Sequence, residues 1–370
     1  MNKKILFVTG TRADYSKLKP LAKIAQKNNF YTSFYVTGMH VLSKYGLTKV
    51  EVHNDSFNEV DEFINQNPSD KQSHIIGKTI CAFTDFLQEK NPNLVVVHGD
   101  RPEALACAIA AATNYYKLLH VEGGEISGTI DETFRHAISK LASIHCVSSN
   151  QAIRRLIKMG ENPKTIFNIG SPELDLHMTT NKDRIEEVKS RYDIKFDDYG
   201  IIIFHPVTSE TNNIGTQAFE LFNTLKESKK KFVVIAPNND PGCELIIDII
   251  EKLPKKQFRI LPSMRFEFFS ILMKNCSAFI GNSSTGVREA PFLGIPSLNI
   301  GSRQHKRAVS KSITNLEANQ RVLIRAFIKD KWGKRFKSST EFGFGNSESK
   351  FKNLLLSKNI WQSPDQKFFY

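Results

Sequence analysis

Three acidic side chains close predicted strands or open a predicted helix in the first half of this 370-residue chain. Asp100 and Glu122 each end an apolar run, and Asp131 opens a helix that carries Arg135 four residues later on the same face. Burial behind a strand raises the pKa of a carboxylate, which suits it to proton transfer. The alternatives are structural: an N-cap for Asp131 and a strand-end turn for Asp100, paired with Arg101.

Two further polar segments are suited to binding phosphate. Segment 281–286 (Gly-Asn-Ser-Ser-Thr-Gly) lies between an apolar run and a predicted helix that ends near Leu293. Backbone N–H groups and hydroxyls would therefore face a ligand at the helix N-terminus. Segment 10–12 (Gly-Thr-Arg) closes the first apolar run, where a guanidinium can hold a phosphate with two hydrogen bonds. An ordinary N-cap and a solvated loop arginine are the respective alternatives.

The histidines and cysteines do not form a metal-binding pattern. His205 ends the run 201–204, so we expect its ring at the rim of the second sheet, near Ser283 and Ser284. No histidine pair has H-x-x-x-H spacing beside a glutamate, so a metal bound by the protein is not expected. Three other histidines lie within or beside apolar runs, namely His98, His120 and His145. A histidine in such a position is typically a hydrogen-bonded core residue. The cysteines are scattered, as expected of reduced, buried thiols, at Cys81, Cys107, Cys146, Cys243 and Cys276.

Short apolar runs alternate with stretches of helical periodicity along the chain, which is typical of strands buried on both faces by helices. Two series of strands are predicted, namely 4–8, 34–37, 94–97, 118–121, 145–147 and 165–169, then 199–204, 231–236, 258–261, 277–280 and 296–300. Helices of about three turns are predicted at 103–112, 131–142, 151–159 and 266–275. The pattern predicts an α/β fold with two doubly wound, Rossmann-like domains, and ligands of such sheets bind past the carboxyl ends of the strands.

The most polar and least patterned stretch between the two series is 173–198, and we predict the domain boundary there. The N-terminal domain would span residues 1–175 and carry the three acids. The C-terminal domain would span 195–350. A helix and tail at 347–370 can fold back onto the first domain, with about 355–370 packing on it.

Composition narrows the classes of function. The chain has 51 Lys and Arg against 38 Asp and Glu, a net charge of +13. These cations form no dense run and no aromatic RNP-like segment accompanies them, which disfavours a nucleic-acid partner. The apolar runs are far shorter than the roughly 20 residues of a membrane span. No signal-peptide pattern follows Met1, so we expect a cytoplasmic protein with no membrane partner.

Seven segments, taken in order, carry a specific resemblance. They are 10–18 (Gly-Thr-Arg-Ala-Asp-Tyr-Ser-Lys-Leu), 98–101 (His-Gly-Asp-Arg), 120–125 (His-Val-Glu-Gly-Gly-Glu), 128–132 (Gly-Thr-Ile-Asp-Glu), 204–208 (Phe-His-Pro-Val-Thr), 281–289 (Gly-Asn-Ser-Ser-Thr-Gly-Val-Arg-Glu) and 301–304 (Gly-Ser-Arg-Gln). In order and spacing this set resembles the hydrolysing UDP-N-acetylglucosamine 2-epimerases over about residues 4–310. One departure is the pair His305 and Lys306, where many relatives have a glycine.

The resemblance implies a fold and a reaction. The fold is glycosyltransferase-B-like, with two Rossmann-like domains, a nucleotide sugar in the cleft between them and no redox cofactor. In the reaction UDP leaves C1 as a proton leaves C2, and water adds to the glycal to release N-acetylmannosamine for sialic acid synthesis. The matched positions make Asp100, Glu122 and Asp131 the catalytic acids and bases. Glu122 or Asp131 would take the C2 proton, Asp100 would assist elimination, and His205 would contact the diphosphate or leaving oxygen.

The resemblance also implies how UDP is held. Glu289 would accept the ribose hydroxyls, and Asn238 would make a further contact to UDP. The diphosphate would be held by Arg12, Ser16, Arg101, Ser283, Ser284 and Arg303. A homo-oligomer, dimeric or tetrameric, is the expected assembly.

Three other activities stay open. Non-hydrolysing epimerases of the same superfamily usually have Arg-Pro-Glu where this chain has Arg12, Ala13 and Asp14. A hydrolysing relative could act on a UDP-diacetamido-trideoxyhexose for legionaminic-type acids. A glycosyltransferase of the same fold would leave the three acids of the first domain without a shared role.

Overall fold

The computed structural model describes residues 3–43, 46–67, 70–127, 130–237, 240–304 and 307–362. The chain divides into two compact units, of which the first comprises 1–125, 131–175 and 342–370 and the second comprises 126–130 and 176–341. Each unit is built on one parallel sheet, so the predicted α/β class with two Rossmann-like units is confirmed. Residues 342–350, assigned from the sequence to the second domain, belong to the first unit.

The first unit contains a seven-stranded sheet in the order β3-β2-β1-β4-β5-β6-β7. Its strands are β1 (Lys4–Thr9), β2 (Tyr31–Val36), β3 (Glu59–Glu62), β4 (Leu94–His98), β5 (Leu118–Val121), β6 (Ile144–Val147) and β7 (Ile166–Asn168). The helices of this part of the chain are α1 (Arg12–Lys27), α2 (Lys49–His53), α3 (Gln72–Lys90), α4 (Pro102–Thr113), α5 (Ile130–Leu141), α6 (Asn150–Lys158) and α7 (Pro172–Thr179). The strand order reverses between β1 and β4.

The second unit contains a six-stranded sheet in the order β10-β9-β8-β11-β12-β13. Its strands are β8 (Tyr199–Ile203), β9 (Lys231–Ile235), β10 (Phe258–Leu261), β11 (Ala278–Gly281), β12 (Ser297–Ile300) and β13 (Ile313–Leu316). Its helices are α8 (Ile185–Tyr192), α9 (Ile214–Glu227), α10 (Cys243–Ile250), α11 (Phe266–Asn275), α12 (Glu289–Phe292) and α13 (Arg321–Lys331). Here the strand order reverses between β8 and β11.

Helices cover both faces of each sheet. Along β1, Ile5 and Phe7 enter one apolar cluster and Leu6 and Val8 enter another, because successive side chains of a strand point to opposite faces. Two final helices follow, α14 (Ser347–Leu356) and α15 (Lys358–Gln362). Phe351 of α14 packs 6.5 Å from the ring of Phe7, which joins the end of the chain to the first unit.

Among the described residues there are thirteen strands, of which the apolar runs predicted eleven and missed two polar edge strands. β3 (Glu-Val-Asp-Glu) and β13 (Ile-Thr-Asn-Leu) each lie at the edge of a sheet and are only half-buried. Edge strands carry polar side chains that oppose further pairing, so they lack the apolar run by which central strands are found.

The chain divides between Asp175 and Leu176, within the stretch 173–198 where the domain boundary was expected, and α7 and α8 occupy much of that stretch. One local prediction was wrong. The helix predicted to follow segment 281–286 is broken: a 3-10 turn covers Ser284–Gly286, and α12 begins only at Glu289. The other 3-10 turns are Gly38–Val41, Pro163–Thr165, Lys182–Arg184 and Thr208–Asn213.

The cysteines are all free thiols. Four are buried as predicted, whereas Cys81 on α3 is exposed. Among the described residues, no helix is both long and apolar enough to cross a membrane.

Candidate active site

The loops that follow β1 and β4 bring acidic and basic side chains together where the strand order of the first sheet reverses. Ligands of doubly wound sheets bind at this kind of position. The Thr11 hydroxyl caps α1 by accepting a hydrogen bond from the N–H of Asp14 at 3.1 Å. Asp14 consequently lies in the first helical turn, and its Oδ1 is 3.2 Å from Nδ1 of His98 at the end of β4.

Glu122, which follows β5, is the centre of a buried cluster. Its side chain accepts hydrogen bonds from the Ser171 hydroxyl at 2.7 Å and from Nζ of Lys17 at 3.1 Å. Nε2 of His98 lies 3.1 Å from the same Oε2 that Lys17 contacts. Lys17 also lies 3.0 Å from Glu173 on α7. The predicted burial of Glu122 is confirmed at 2% exposure, but the sequence did not predict these hydrogen-bond donors.

His98 bridges two carboxylates. Burial alone would disfavour its protonation, but its hydrogen bonds to Asp14 and Glu122 outweigh that cost and raise the pKa of His98. The pKa of Asp14 is lowered, because the hydrogen bond and charge of His98 more than offset burial. His98 is buried, as expected of a core histidine, but its contacts make it part of the acidic cluster. The prediction of a hydrogen-bonded core histidine is therefore confirmed, but the sequence did not show that its partners would be two carboxylates.

The backbone of Glu122 adopts a positive φ of 63°, a conformation that costs energy in a residue other than glycine. Its N–H nevertheless donates to the carbonyl of Cys146 at 2.8 Å, which anchors the turn to β6. Next to it, a Cβ on Gly123 would lie 2.7 Å from the Ser139 hydroxyl, too close for any other residue. Tight packing therefore holds the Glu122 side chain in the cluster.

Asp100 is paired with Arg135 on α5, not with its neighbour Arg101. Asp131 is the second residue of α5 and not its N-cap, and it is half-buried one helical turn before Arg135. The turn before Asp100 is held by His120, whose Nε2 donates to the carbonyl of Gly99 at 2.8 Å. Burial lowers the pKa of His120 to about 3, so this ring is neutral. His120 is thus a hydrogen-bonded core histidine, as predicted.

The predicted diphosphate ligands of the first unit make contacts within the unit. Arg12 donates to Glu51 of α2 at 2.6 Å. The Ser16 hydroxyl donates to the carbonyl of Ala13 at 2.8 Å. Arg101, just before α4, has Nε 3.7 Å from Glu103, a buried carboxylate that the sequence did not single out. The two guanidinium groups lie beside the loops after β1 and β4, as the sequence predicted.

In the second unit, Asn282 joins the two strands at which the order of the sheet reverses. Its Oδ1 accepts from the N–H of His205 at 2.7 Å, and its Nδ2 donates to the carbonyl of His205 at 2.8 Å. Gly281, with φ of 138°, allows this approach, because a Cβ there would lie 2.0 Å from the carbonyl oxygen of Ile203. The half-buried His205 is therefore held at the end of β8, although the sequence did not identify Asn282 as the residue that holds it.

The remaining predicted ligands lie around Asn282. Nη1 of Arg303 donates to the carbonyl of Asn282 at 3.3 Å, and its Nη2 is 3.9 Å from Asp240. The Ser283 hydroxyl accepts from the N–H of Thr285, so Ser283 caps the 3-10 turn that Ser284 begins. The N-cap alternative therefore holds for Ser283. Glu289 opens α12 and is buried, and Asn238 lies outside the described residues.

Within the described residues, no group of three or more His, Cys, Asp or Glu side chains is arranged to hold a metal ion. Both units instead present cations and hydrogen-bond donors beside strand ends, an arrangement that suits an anionic ligand.

Comparison with known proteins identifies the family. The family model described as UDP-N-acetylglucosamine 2-epimerase matches residues 22–356. The chain belongs to this family. It is thus an enzyme of the UDP-N-acetylglucosamine 2-epimerase family.

Individual relatives of this epimerase family differ in their named substrates. The UDP-N-acetylglucosamine 2-epimerase of Neisseria meningitidis serogroup B is 38% identical over 99% of this chain and 98% of its own length. The UDP-N,N'-diacetylbacillosamine 2-epimerase (hydrolyzing) of Legionella pneumophila is 32% identical over 96% of both chains. A crystal structure of UDP-GlcNAc 2-epimerase from Neisseria meningitidis, bound to UDP-GlcNAc, matches with a TM-score of 0.80 and 19% identity over 95% of this chain and 99% of that one. This structural match supports the fold.

Three of the epimerase residues that sequence reasoning missed lie inside the recognised segments. Asp14 and Lys17 lie in segment 10–18, and His98 opens segment 98–101. Their residue types were visible, but nothing local indicated that they meet at Glu122. Ser171 and Glu173 lie outside every segment, and no sequence signal identified them.

Proposed function

We propose that this epimerase is hydrolysing and converts UDP-N-acetylglucosamine and water to N-acetylmannosamine and UDP, the first step of sialic acid synthesis. The observation that carries the proposal is the buried cluster of Asp14, His98, Glu122 and Lys17 at the ends of β4 and β5. It holds an acid, a base and a charged hydrogen-bond network in one place, as proton transfer at carbon requires. A relative with a hydrolysing activity in its name, 32% identical, supports hydrolysis.

The proposed reaction has two stages. In the first, the C1–O bond to UDP and the C2–H bond break, and a C1–C2 double bond forms to give the glycal. In the second, water adds its hydroxyl to C1, and a proton returns to C2 with the opposite configuration. Both stages need one group that accepts a proton and one that supplies it. Because the C2 proton is only weakly acidic, positive charge develops at C1 as UDP leaves, and a nearby carboxylate stabilises it.

We assign these roles to the three acids. Glu122 exchanges a proton at C2, since His98 beside it can supply or withdraw a proton through their hydrogen bond. Asp131 is the second group for proton exchange at C2. Asp100, which is paired with Arg135, stabilises the developing charge at C1.

UDP binding is the second part of the proposal. His205 contacts the diphosphate or the leaving oxygen, and Glu289 accepts the ribose hydroxyls. Asn238 makes a further UDP contact. The diphosphate is held by Arg12, Ser16, Arg101, Ser283, Ser284 and Arg303. The excess of positive charge in this set suits a doubly charged substrate.

A second substrate is supported by the relative from Legionella pneumophila, which is named for UDP-N,N'-diacetylbacillosamine. Both sugars carry an acetamido group at C2 and undergo the same bond changes. NMR of reactions with each UDP-sugar, side by side, identifies the substrate from the sugar released. A product that retains UDP would instead identify the non-hydrolysing activity.

Solvent deuterium tests the elimination route. Reaction in D2O should yield N-acetylmannosamine with deuterium at C2 and free UDP in equal amounts. Absence of deuterium at C2 in the released sugar would exclude the glycal intermediate. Unchanged UDP-N-acetylglucosamine and UDP-diacetylbacillosamine after prolonged incubation with micromolar enzyme would refute the proposal as a whole.

The cellular setting stays a prediction. We expect a cytoplasmic homo-oligomer, dimeric or tetrameric, that supplies a sugar for a capsule or other surface polysaccharide. Light scattering of the purified protein measures the oligomeric state.

A further inference from the structure

A buried histidine, His177, holds the carboxylate proposed to bind the ribose. Nε2 of His177 lies 3.0 Å from Oε1 of Glu289, and its Nδ1 lies 2.8 Å from the hydroxyl of Ser270 on α11. All three side chains are buried, with His177 at 1% and Glu289 at 3% exposure. The His177 ring also packs 5.1 Å from the ring of Phe266. The ring is therefore held on two edges and one face.

The direction of the hydrogen bonds follows from what each group can donate. A carboxylate only accepts, so Nε2 of His177 donates to Glu289. The Ser270 hydroxyl can then donate to Nδ1, so that both ring nitrogens have a hydrogen-bond partner. Ser270 thus selects the tautomer in which the proton faces Glu289.

The contact uses one oxygen of Glu289 and leaves the other available. Among the described residues, His177 is the sole hydrogen-bond partner of the Glu289 side chain. Oε2 therefore has no hydrogen-bond partner within the described part of the chain. A carboxylate oriented in this way can accept hydrogen bonds from vicinal hydroxyls, as acidic residues do with ribose in doubly wound sheets.

We propose that His177 is a positioning residue for nucleotide recognition, which fixes Glu289 so that the enzyme discriminates in favour of a ribose diol. This inference rests on the proposed role of Glu289 in UDP binding. His177 lies in α7 and Glu289 in α12, 112 residues away along the chain. Without His177, Glu289 would be a buried carboxylate that is free to rotate, and rotation would remove its acceptor from the ribose.

Calorimetric titration with UDP and with 2′,3′-dideoxy-UDP tests the inference, since the ratio of the two dissociation constants reports contacts to the diol alone. His177→Phe keeps a ring and removes the donor. It should weaken UDP binding about tenfold, the scale of a hydrogen bond to a charged group, and leave dideoxy-UDP binding unchanged. The KM for the UDP-sugar should rise while kcat stays within about twofold. His177→Gln, whose side-chain amide can donate from a similar position, should restore most of the ratio.

A matched control comes from the first unit. His145 is also fully buried with a glutamate, its Nε2 3.1 Å from Glu161, but it has no proposed role in UDP binding. His145→Phe should therefore leave the ratio of UDP to dideoxy-UDP affinity at the wild-type value. A general loss of packing would lower both affinities and would not change the ratio.

The outcomes separate this inference from the proposed function. A wild-type ratio in His177→Phe would overturn the role of His177. If His177→Phe does not fold, Ser270→Ala provides the test. Loss of the hydroxyl that selects the tautomer should reduce the preference for UDP over dideoxy-UDP about threefold. An unchanged preference in Ser270→Ala would overturn the inference. A wild-type ratio in Glu289→Ala would instead refute the proposed ribose contact of Glu289.

Discussion

Nε2 of His98 lies 3.1 Å from Oε2 of Glu122, and both side chains are buried. Asp14 lies beside the other ring nitrogen, so the histidine is placed between two carboxylates, and its raised pKa favours its protonated form. Glu122 is thus next to a proton donor as well as to the cation of Lys17. This arrangement gives Glu122 a partner for proton exchange that its own sequence neighbourhood does not provide.

Replacement of Glu122 by glutamine should abolish turnover and preserve UDP binding. The amide has nearly the same shape but cannot exchange a proton, and loss of a general acid or base costs about 10²- to 10⁴-fold in rate. UDP release measures the rate, and calorimetry measures UDP affinity. Glu161→Gln changes another buried carboxylate of the first unit and should keep most of the activity. Near-normal turnover in Glu122→Gln would remove Glu122 from the mechanism.

The stabilising effect of His98 should decline as pH rises. Its pKa is raised in the folded protein, so its contribution is complete below the unfolded value of 6.5 and is lost as pH rises through the folded value. His98→Gln should therefore lower stability most near pH 6, by about 1–3 kcal/mol, and less at higher pH. Thermal unfolding from pH 6 to 9 measures the change.

His120→Gln provides the contrast for His98. The pKa of His120 is lowered to about 3, so its ring is neutral in both folded and unfolded protein above pH 6.5. The destabilisation caused by His120→Gln should thus be constant over the upper part of the same range. Parallel curves for the two variants would contradict the protonated state of His98.

Alanine at Gly281 should unfold the second unit or lower its stability by more than about 3 kcal/mol. The added Cβ would lie 2.0 Å from the carbonyl oxygen of Ile203, and φ of 138° is unfavourable for alanine. At Gly215 in α9, the nearest atom to an added Cβ is 4.0 Å away. Gly215→Ala should stabilise the protein by roughly 0.5 kcal/mol. Equal unfolding temperatures for the two variants would show that β8 and β11 leave room for a Cβ at Gly281.

Glutamine at Glu103 should stabilise the protein. The carboxylate is 1% exposed, neither oxygen has a hydrogen-bond partner among the described residues, and burial raises the pKa of Glu103. Its charged form therefore reduces stability as pH rises above its unfolded value of 4.5. Glu103→Gln should raise stability by about 1–3 kcal/mol at pH 8 and by less at pH 5.

Glu125→Gln is the matched control for Glu103→Gln. The Glu125 carboxylate is equally buried, but it accepts hydrogen bonds from the hydroxyls of Ser148 and Ser149. Both hydroxyls donate to Oε1, and a hydrogen bond to a charged acceptor is stronger than one to a neutral amide, so the replacement should lower stability. A loss of stability in both variants, measured by thermal unfolding, would show that Glu103 is stabilising in its charged form.

The central strands were predictable because they are apolar on both faces. β4 (Leu94–His98) and β8 (Tyr199–Ile203) are fully buried along their length, and a parallel sheet between two layers of helices requires that composition. The broken helix after β11 was not predictable in the same way. Its 3-10 turn and the delayed start at Glu289 depend on contacts with other parts of the second unit.

The sequence by itself determined which residues could do chemistry and roughly where they lie. Asp100 and Glu122 follow apolar runs, and strand ends on one edge of a parallel sheet are where ligands bind. The positions of strand ends can be predicted from local periodicity alone, because a strand buried on both faces needs a continuous run of apolar residues. The family resemblance added roles to these positions.

Only the tertiary structure decided the partners of those residues and hence their charge. Asp100 pairs with Arg135, 35 residues away, instead of the adjacent Arg101. His98 meets Asp14 across 84 residues of chain and Glu122 across 24. Electrostatic interaction depends on distance in space and on burial, and neither is a property of the local sequence. The proton held at His98 is therefore a consequence of the fold.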